Sequence, residues 1–541
     1  MRARALGVTA KFGRFVAAGA LFATIVSCGD SGPKQGQVGY VEGFFGGVVA
    51  DEPNSAQVGR DVLTAGGNAV DAAVATYFAM AVMMPSSASL GGGGVCLVHW
   101  SKDNKTEALS FLTKFPATGS PGAIPVGVPG NARGMAALHA RYGVLRWEQL
   151  VAPAERMARL GAPVSRAFAR DLSAAAAIIQ QDPVTRRAFS QPNGQLVVEG
   201  TPWIQDDLAA TLGSIRLRGA GELYAGPLAR HFVDAVRAGN GILSVDDMRN
   251  QTPTWLTAVS MPFGDHTAYF APPPAGGGLL TAEIWAMMQR GGYASTDAAR
   301  RPALFTEITR RAYADRSYWT DPTDTVNGDP RAILSQQHID QMLAGVGADI
   351  VTPIAMLARP PQPRANDAPG ASLVVVDRFA NAVACSFTTN GFFGGVRIAG
   401  STGILLSPAP GVNGHGSPAI GPMMVANANT GDFIFAGSAS GGTSGPAMLA
   451  AVAADSLLLQ QPLANSLQMP RALHPGLPDK VFAEPGVAAA LRGRGETVEE
   501  LQSLGQVDAI ICPVGLRERS KTCQVGTDPR GFGLALSAPA P

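Results

Sequence analysis

The chain has 541 residues, of which 46% are hydrophobic and 15% charged, and its formal net charge is +1. This composition is typical of a globular protein and excludes an intrinsically disordered chain. The near-zero charge gives no basis for nucleic-acid binding. The length exceeds the usual size of a single core, so we expect two closely packed layers or lobes.

The N-terminus has the pattern of an export signal. Residues 1–14 carry four basic side chains and no acidic one, and the apolar run at 15–26 that follows is too short to span a membrane as a helix. The run ends beside Cys28, in a pattern that resembles a bacterial lipoprotein cleavage box; an ordinary signal peptide that contains a cysteine is the alternative. We predict a signal peptide at 1–27 and a lipoprotein tether at 28–40. The protein is then exported to a bacterial cell envelope, faces the periplasm, and meets the membrane only through its lipid anchor.

Four further cysteines are present. Cys512 and Cys523 bracket a polar loop, and a disulfide between them is expected outside the cytoplasm, where it would contribute about 2–4 kcal/mol. Cys96 and Cys385 each lie in an apolar, strand-like run, so we expect two buried thiols.

No cysteine–histidine spacing resembles a zinc site, and neither a metal nor another cofactor is expected. Five isolated histidines are expected to be structural or exposed: His99, His139, His231, His266 and His338. His415 lies between two glycines; we expect a solvated loop there, and contact with a ligand is the alternative.

Helical and strand-like patterns alternate along the chain. Predicted helices cover 57–65, 69–84, 132–141, 147–160, 279–289 and 303–318. Asn68 is the predicted N-cap of the second helix, and a strand is predicted at 95–100. A proline-rich polar segment at 360–369 is expected to be exposed.

A β-hairpin is predicted directly after that segment. A β-branched run at 370–377 is followed by a break at 378–380 and a second run at 381–387. Strands that occur in hairpins between helical layers favour a mixed α+β sandwich over a doubly wound parallel sheet.

The hairpin sequence, Gly-Ala-Ser-Leu-Val-Val-Val-Asp and, three residues later, Asn-Ala-Val, resembles without a gap the start of the small subunit of gamma-glutamyltransferases. Six further motifs match that family in the same order, at 66–74, 90–94, 128–154, 312–322, 470–479 and 528–530. The resemblance implies an N-terminal-nucleophile hydrolase fold, which is a four-layer α/β/β/α sandwich. It also implies a large-subunit-like region at 41–369 and a small-subunit-like region at 370–541, which form one compact unit.

The resemblance allows the family's catalytic positions to be located in this chain. The family's small subunit begins with a Thr that is both the autocleavage point and the nucleophile, and Gly370 stands at this position without a hydroxyl. The supporting hydroxyl falls at Thr388, the substrate-contacting amide at Asn390, and the oxyanion glycines at Gly441 and Gly442. Thr388 is equally well an ordinary strand residue, and glycines also persist for conformational reasons.

The residues that recognise the substrate in this family are replaced. The arginine that binds the α-carboxylate falls at Leu112, with Lys114 two residues later. The acids that bind the α-amino group are replaced by the segment 407–411, and the next acid is Asp432. The family's paired serines fall at Pro418-Ala419. A zwitterionic ligand needs both charge partners, because desolvating unpaired charges costs several kcal/mol.

Three hypotheses follow. In the first, the chain is a catalytically silent family member that keeps the fold for binding or assembly, with a small-molecule or peptide amide as ligand. The sequence does not specify its oligomeric state. In the second, it is an active amide hydrolase or transferase, with a glutathione-type or other amide substrate, processed after Ala371 so that Ser372 becomes the nucleophile. Ser372 shares a strand face with Gly370 but is displaced by about 6–7 Å. The third is ordinary transfer through Thr388 or Thr389, neither of which becomes N-terminal without cutting the hairpin.

Overall fold

The computed structural model describes residues 38–40, 46–117, 124–321, 326–357, 370–411 and 419–538. The predictions for the signal peptide, for lipidation of Cys28, for His415 and for the proline-rich segment fall outside these residues, as does all but the end of the tether. Within the described part of the chain, no helix is both long and apolar enough to cross a membrane.

Two seven-stranded antiparallel sheets lie at the centre of the molecule. The strand order in the first sheet is Val38–Tyr40, Gln524–Gly526, Gln506–Ile511, Phe433–Ser440, Met423–Asn427, His266–Phe270 and Val259–Phe263. The strand order in the second sheet is Leu534–Ser537, Gly46–Ala50, Gly370–Asp377, Ala382–Thr388, Gly93–Trp100, Lys105–Ser110 and Thr254–Thr257. The predicted hairpin therefore forms the middle of the second sheet, with earlier parts of the chain on both sides of it.

The shorter strands form small separate sheets. These are Ala472–Leu473 with Val481–Ala483 and Val498–Glu500, Ile124–Pro125 with Gly241–Ile242, and Ala162–Pro163 with Pro202–Trp203.

Side chains alternate between the two faces of each sheet and so define the layers. Val374 and Val376 pack between the sheets against residues of the first sheet such as Ile510. Leu373 and Val375, which point the other way, pack against helices. The helices on the second sheet are Pro53–Thr64, Ala69–Met83, Asn131–Tyr142, Trp147–Leu160, Asp206–Arg218 and Pro227–Ala238. Those on the first sheet are Gly276–Arg290, Arg301–Trp319, Gln336–Leu343, Ser444–Leu457 and Leu463–Gln468. The predicted four-layer α/β/β/α sandwich is confirmed.

The remaining helices lie outside these two groups or are short. They are Pro85–Ala88, Arg166–Ile179, Pro183–Ala188, Glu222–Ala225, Val245–Asn250, Pro330–Ile333, Pro485–Gly493 and Leu516–Arg519.

All six predicted helices are present, and capping explains where two of them begin. The first starts at Pro53, four residues earlier than predicted, because the Glu52 carboxylate accepts the Ser55 N–H at 2.7 Å and so caps the helix. The second is capped by Asn68, whose side chain accepts the N–H groups of Val70 and Asp71. This second helix is buried along its whole length, which its small side chains allow.

A disulfide joins two adjacent strands of the second sheet. Cys96 and Cys385 are directly opposite each other, with their Cα atoms 4.0 Å apart, and they form this bond. The prediction of two separate buried thiols is wrong, because the strand pairing that brings residues 289 positions apart together is a tertiary feature. A second disulfide joins Cys512 to Cys523.

We expect all four of these cysteines to resist an alkylating reagent when the unfolded protein has not been reduced, and we expect reduction to expose all four. A Cys96→Ala/Cys385→Ala double variant should lose about 2–4 kcal/mol of unfolding free energy, because its unfolded chain is less constrained. Peptide mass spectrometry and denaturant unfolding measure the two effects. Alkylation of Cys96 or Cys385 without reductant would contradict the pairing.

Candidate functional site

Gly370 is the buried first residue of a central strand and pairs with Thr388. A Cβ atom at this position would lie 3.0 Å from the Phe387 carbonyl oxygen and 3.3 Å from Ile420 Cγ2. Any larger residue would therefore require its neighbours to shift by a few tenths of an ångström. The space that a nucleophilic side chain would need is narrowed by an isoleucine.

That isoleucine belongs to an apolar cluster at the position of the expected carboxylate clamp. The cluster consists of Val95, Leu112, Ala271, Ala275 and Ile420. Leu112 is buried in this cluster, whereas Lys114 is exposed and, among the described residues, its ammonium approaches the Thr252 carbonyl oxygen, at 3.5 Å. Lys114 therefore does not replace the missing arginine, and the surface beside Gly370 is apolar.

Thr388 and Asn390 lie at the end of the neighbouring strand. Thr388 Oγ1 accepts the Asn390 N–H at 3.0 Å and so stabilises a turn in which Asn390 has a φ of +54°. Asn390 Nδ2 donates to Thr113 Oγ1 at 2.6 Å and to the Pro408 carbonyl oxygen at 3.1 Å. Asn390 Oδ1 is buried without a hydrogen-bond partner among the described residues, as is Ser407 Oγ. The site thus retains two unused polar atoms.

The Thr389 hydroxyl donates its hydrogen bond to the backbone. Its Oγ1 lies 3.0 Å from the Ser86 carbonyl oxygen and 2.7 Å from that of Gly391, so its single proton is already donated. This geometry does not favour Thr389 as a nucleophile.

Ser372 lies two residues deeper, on the face between the sheets, and is fully buried. Its N–H donates to Asp51 Oδ2 at 2.8 Å, and its Oγ lies 3.1 Å from that same oxygen and 2.8 Å from Asp508 Oδ2. A serine hydroxyl has one proton, so it can donate to only one of these carboxyl groups. The other carboxyl group must itself be protonated and donate to Oγ.

Burial of both carboxyl groups around one hydroxyl favours a single proton held between them. Burial raises the pKa of Asp51 to about 6, although hydrogen bonds from Ser372 and Ser440 oppose the shift. Burial, and then the charge of Asp51, raise the pKa of Asp508 well above its ordinary value. Sequence reasoning missed both aspartates. The available signal was an acid within the apolar strand Gln506–Ile511 and another directly after Gly46–Ala50.

The two glycines at the expected oxyanion position form the turn between Phe433–Ser440 and Ser444–Leu457. Gly441 and Gly442 have φ angles of +106° and +63°, and a Cβ atom on Gly441 would lie 2.6 Å from Gly505 Cα. Conformation and packing alone therefore require glycine at Gly441. Their presence does not distinguish an active from an inactive site.

Two further family positions, the paired serines and the acids that bind the amino group, also provide no charged group for a substrate among the described residues. Pro418 lies outside the described residues, and Ala419 precedes the isoleucine beside Gly370. Asp432 accepts the N–H groups of Phe433 and Arg517, at 2.9 to 3.1 Å, and so organises a loop.

The paired carboxyl groups predict an unusual dependence of stability on pH. Each has a raised pKa in the folded state, so the folded protein holds protons that the unfolded chain releases above its ordinary pKa of 3.8. The free energy of unfolding should therefore fall as pH rises from about 4 to about 6.

Asp508→Asn removes a carboxyl group that burial and the charge of Asp51 keep protonated in the folded protein, so it should flatten this decrease by up to about 3 kcal/mol, the equivalent of two pH units. Denaturant unfolding between pH 4 and 7 measures it, with Asp246→Asn on the exposed surface as control. Parallel curves for wild type and Asp508→Asn would contradict the shared proton.

Comparisons with known proteins place this site in a family. The model of the gamma-glutamyltranspeptidase family matches residues 55–409. The glutathione hydrolase proenzyme of Escherichia coli (strain K12) is 27% identical over 516 residues, which cover 86% of this chain and 88% of that protein. Glutathione hydrolase 3 of Arabidopsis thaliana is 30% identical over 383 residues, which cover 68% of this chain and 60% of that protein.

Solved structures of other proteins have a similar fold. A cephalosporin acylase from Bacillus halodurans shares the fold, with a TM-score of 0.79 at 24% identity over 92% of this chain and 96% of that one. The gamma-glutamyltranspeptidase of Helicobacter pylori is 27% identical, with a TM-score of 0.53 over 60% of this chain and 96% of that one. The chain therefore belongs to the gamma-glutamyltranspeptidase family and has the N-terminal-nucleophile hydrolase fold.

Proposed function

We propose that this family member does not transfer or hydrolyse γ-glutamyl groups and binds an amide ligand among the residues around Gly370, Leu112 and Asn390, which are called the pocket below. The observation that carries the proposal is the glycine at position 370. Gly370 stands at the position of the nucleophile, and Ile420 borders the space that a side chain there would occupy. Without a hydroxyl there, neither autocleavage nor acyl transfer can begin at this residue.

The surroundings of Gly370 support the same conclusion for substrate recognition. Leu112 and its apolar neighbours occupy the position of the carboxylate clamp, and the first acid after residue 403 serves a loop backbone. A free amino acid head would exchange its hydration for an apolar surface, at a cost of several kcal/mol. The γ-glutamyl group is therefore a poor ligand for this pocket.

The unused polar atoms indicate what the pocket binds instead. Within the described part of the chain, Asn390 Oδ1 is an acceptor without a donor. Asn390 is linked through Thr113 and Pro408 to the chain segments that carry Leu112 and Ser407. A buried acceptor of this kind is best satisfied by an N–H group of the ligand. A small-molecule or peptide amide without a free amino acid head has such an N–H and enough apolar surface for the rest of the pocket.

The proposal also includes the cellular location of the protein. We place the protein in the cell envelope, facing the periplasm and anchored through lipidated Cys28. The export pattern of the N-terminus supports this assignment, and so do two disulfides, which persist in oxidising compartments. Nucleic acid is not a proposed partner, since the net charge is near zero.

A second candidate is an amide hydrolase in which Ser372 has replaced the lost nucleophile. The observation that favours it is the contact between the Ser372 hydroxyl and two carboxyl groups, one of which could accept its proton. Against it, Ser372 is fully buried and its backbone N–H donates to Asp51, so no free amine is present in the uncut chain. Catalysis from this residue requires cleavage of the Ala371–Ser372 peptide bond, which frees the α-amine of Ser372.

The intact mass of the purified, signal-processed protein, measured after denaturation and reduction, separates the two candidates. We expect one species that runs from Cys28 to Pro541, and no hydrolysis of glutathione or of a chromogenic γ-glutamyl anilide. Ser372→Ala should also give a single uncut species, as should Ser386→Ala, which removes the hydroxyl opposite it on the next strand.

Two fragments, the smaller beginning at Ser372, would overturn the proposal. In that case Ser372→Ala, but not Ser386→Ala, should abolish both the cleavage and any amide turnover.

A further inference from the structure

Three helices on the outer side of the first sheet bring together two carboxylates and an imidazole. Glu283 lies in Gly276–Arg290, Asp315 in Arg301–Trp319 and His338 in Gln336–Leu343. His338 Nε2 is 3.0 Å from Asp315 Oδ2 and 3.9 Å from Glu283 Oε1, and the three atoms all lie within 4.8 Å of one another. No spacing along the sequence indicates this cluster, because helix packing joins positions that are distant in sequence.

Glu283 gives a second and independent indication of a ligand. The residue is fully buried, yet both of its carboxylate oxygens lack a hydrogen-bond partner among the described residues. Glu52, which is equally buried, accepts both the N–H and the hydroxyl of Ser55. Burying a carboxylate without a partner costs several kcal/mol, so Glu283 either holds a proton or is neutralised by a bound cation.

Solvent reaches the cluster from one side. Asp315 and His338 line an open cavity of about 560 Å³, together with residues such as Trp319, Asp329 and Gln341. A cation can enter along this route, and water can occupy the coordination positions that the protein does not fill.

We propose that Glu283, Asp315 and His338 bind one divalent transition-metal cation, and that Zn²⁺ fits these donors best. An imidazole nitrogen with two carboxylate oxygens suits Zn²⁺, whereas Mg²⁺ and Ca²⁺ prefer oxygen ligands alone. Tetrahedral Zn²⁺ with bonds of about 2.0–2.2 Å separates its ligand atoms by about 3.3–3.6 Å. The observed 3.0 and 3.9 Å bracket this separation, so small side-chain movements complete the site. The bound ion links three helices and leaves its fourth position open to the cavity.

Zn²⁺ titration of the untagged, chelator-treated protein tests the affinity, and Co²⁺ absorption in the visible range reports the coordination. We expect one ion per chain, with binding weakened by at least about 100-fold in His338→Ala and in Glu283→Gln, which is the upper end of the effect of losing a supporting residue. His231→Ala, at an exposed histidine in another helix, should bind as the wild type does. Absence of Zn²⁺ binding, or equal binding by all four proteins, would overturn the site.

Thermal unfolding gives a readout that a purely structural role for Glu283 would not produce. With excess Zn²⁺ the wild type should unfold at a higher temperature than Glu283→Gln, because the ion stabilises only the folded protein that holds it. With a chelator this order should reverse or vanish, because the amide removes an uncompensated buried carboxylate. The same order under both conditions would overturn the proposal.

Discussion

The antiparallel pairing of Gly370–Asp377 with a strand on each side is the interaction on which the rest of the structure depends. Gly46–Ala50 pairs with it on one side and Ala382–Thr388 on the other, so the first and last parts of the chain share one sheet. Its register decides which residues face the space between the sheets, and a shift by one residue would exchange the two faces. Gly370 and Ser372 are on the same inner face for this reason, at different depths.

The inner face of this strand contains two different chemical environments, one at each end. At the shallow end, an apolar cluster surrounds Leu112. At the deeper end, two aspartates are buried around the hydroxyl of Ser372, and burial together with the charge of Asp51 raises the pKa of Asp508. Neither arrangement provides the paired opposite charges that a zwitterion needs, and this supports the proposed ligand without a free amino acid head.

The helix Gly276–Arg290 connects this pocket with the proposed cation site. Its first turn lies against the segment beside Gly370, where a Cβ atom on Gly277 would be 2.6 Å from the Ile420 carbonyl oxygen. Six residues later, about 9 Å along the axis, the same helix carries Glu283. A cation that fixes this helix against its two neighbours would therefore also support one wall of the pocket.

The sequence by itself determined the six helices that were predicted and the central hairpin, because apolar periodicity, caps and turns are local properties of the chain. The four-layer arrangement was implied by the family resemblance. The order of the family motifs along the chain also identified Gly370 and Leu112 as the positions of the nucleophile and of the carboxylate clamp. Only the tertiary structure decided which distant residues meet. Strand register joined Cys96 to Cys385, sheet packing placed Asp51 and Asp508 on Ser372, and helix packing brought His338 to Asp315. Such contacts depend on how separate elements pack, and no spacing along a single segment specifies that packing.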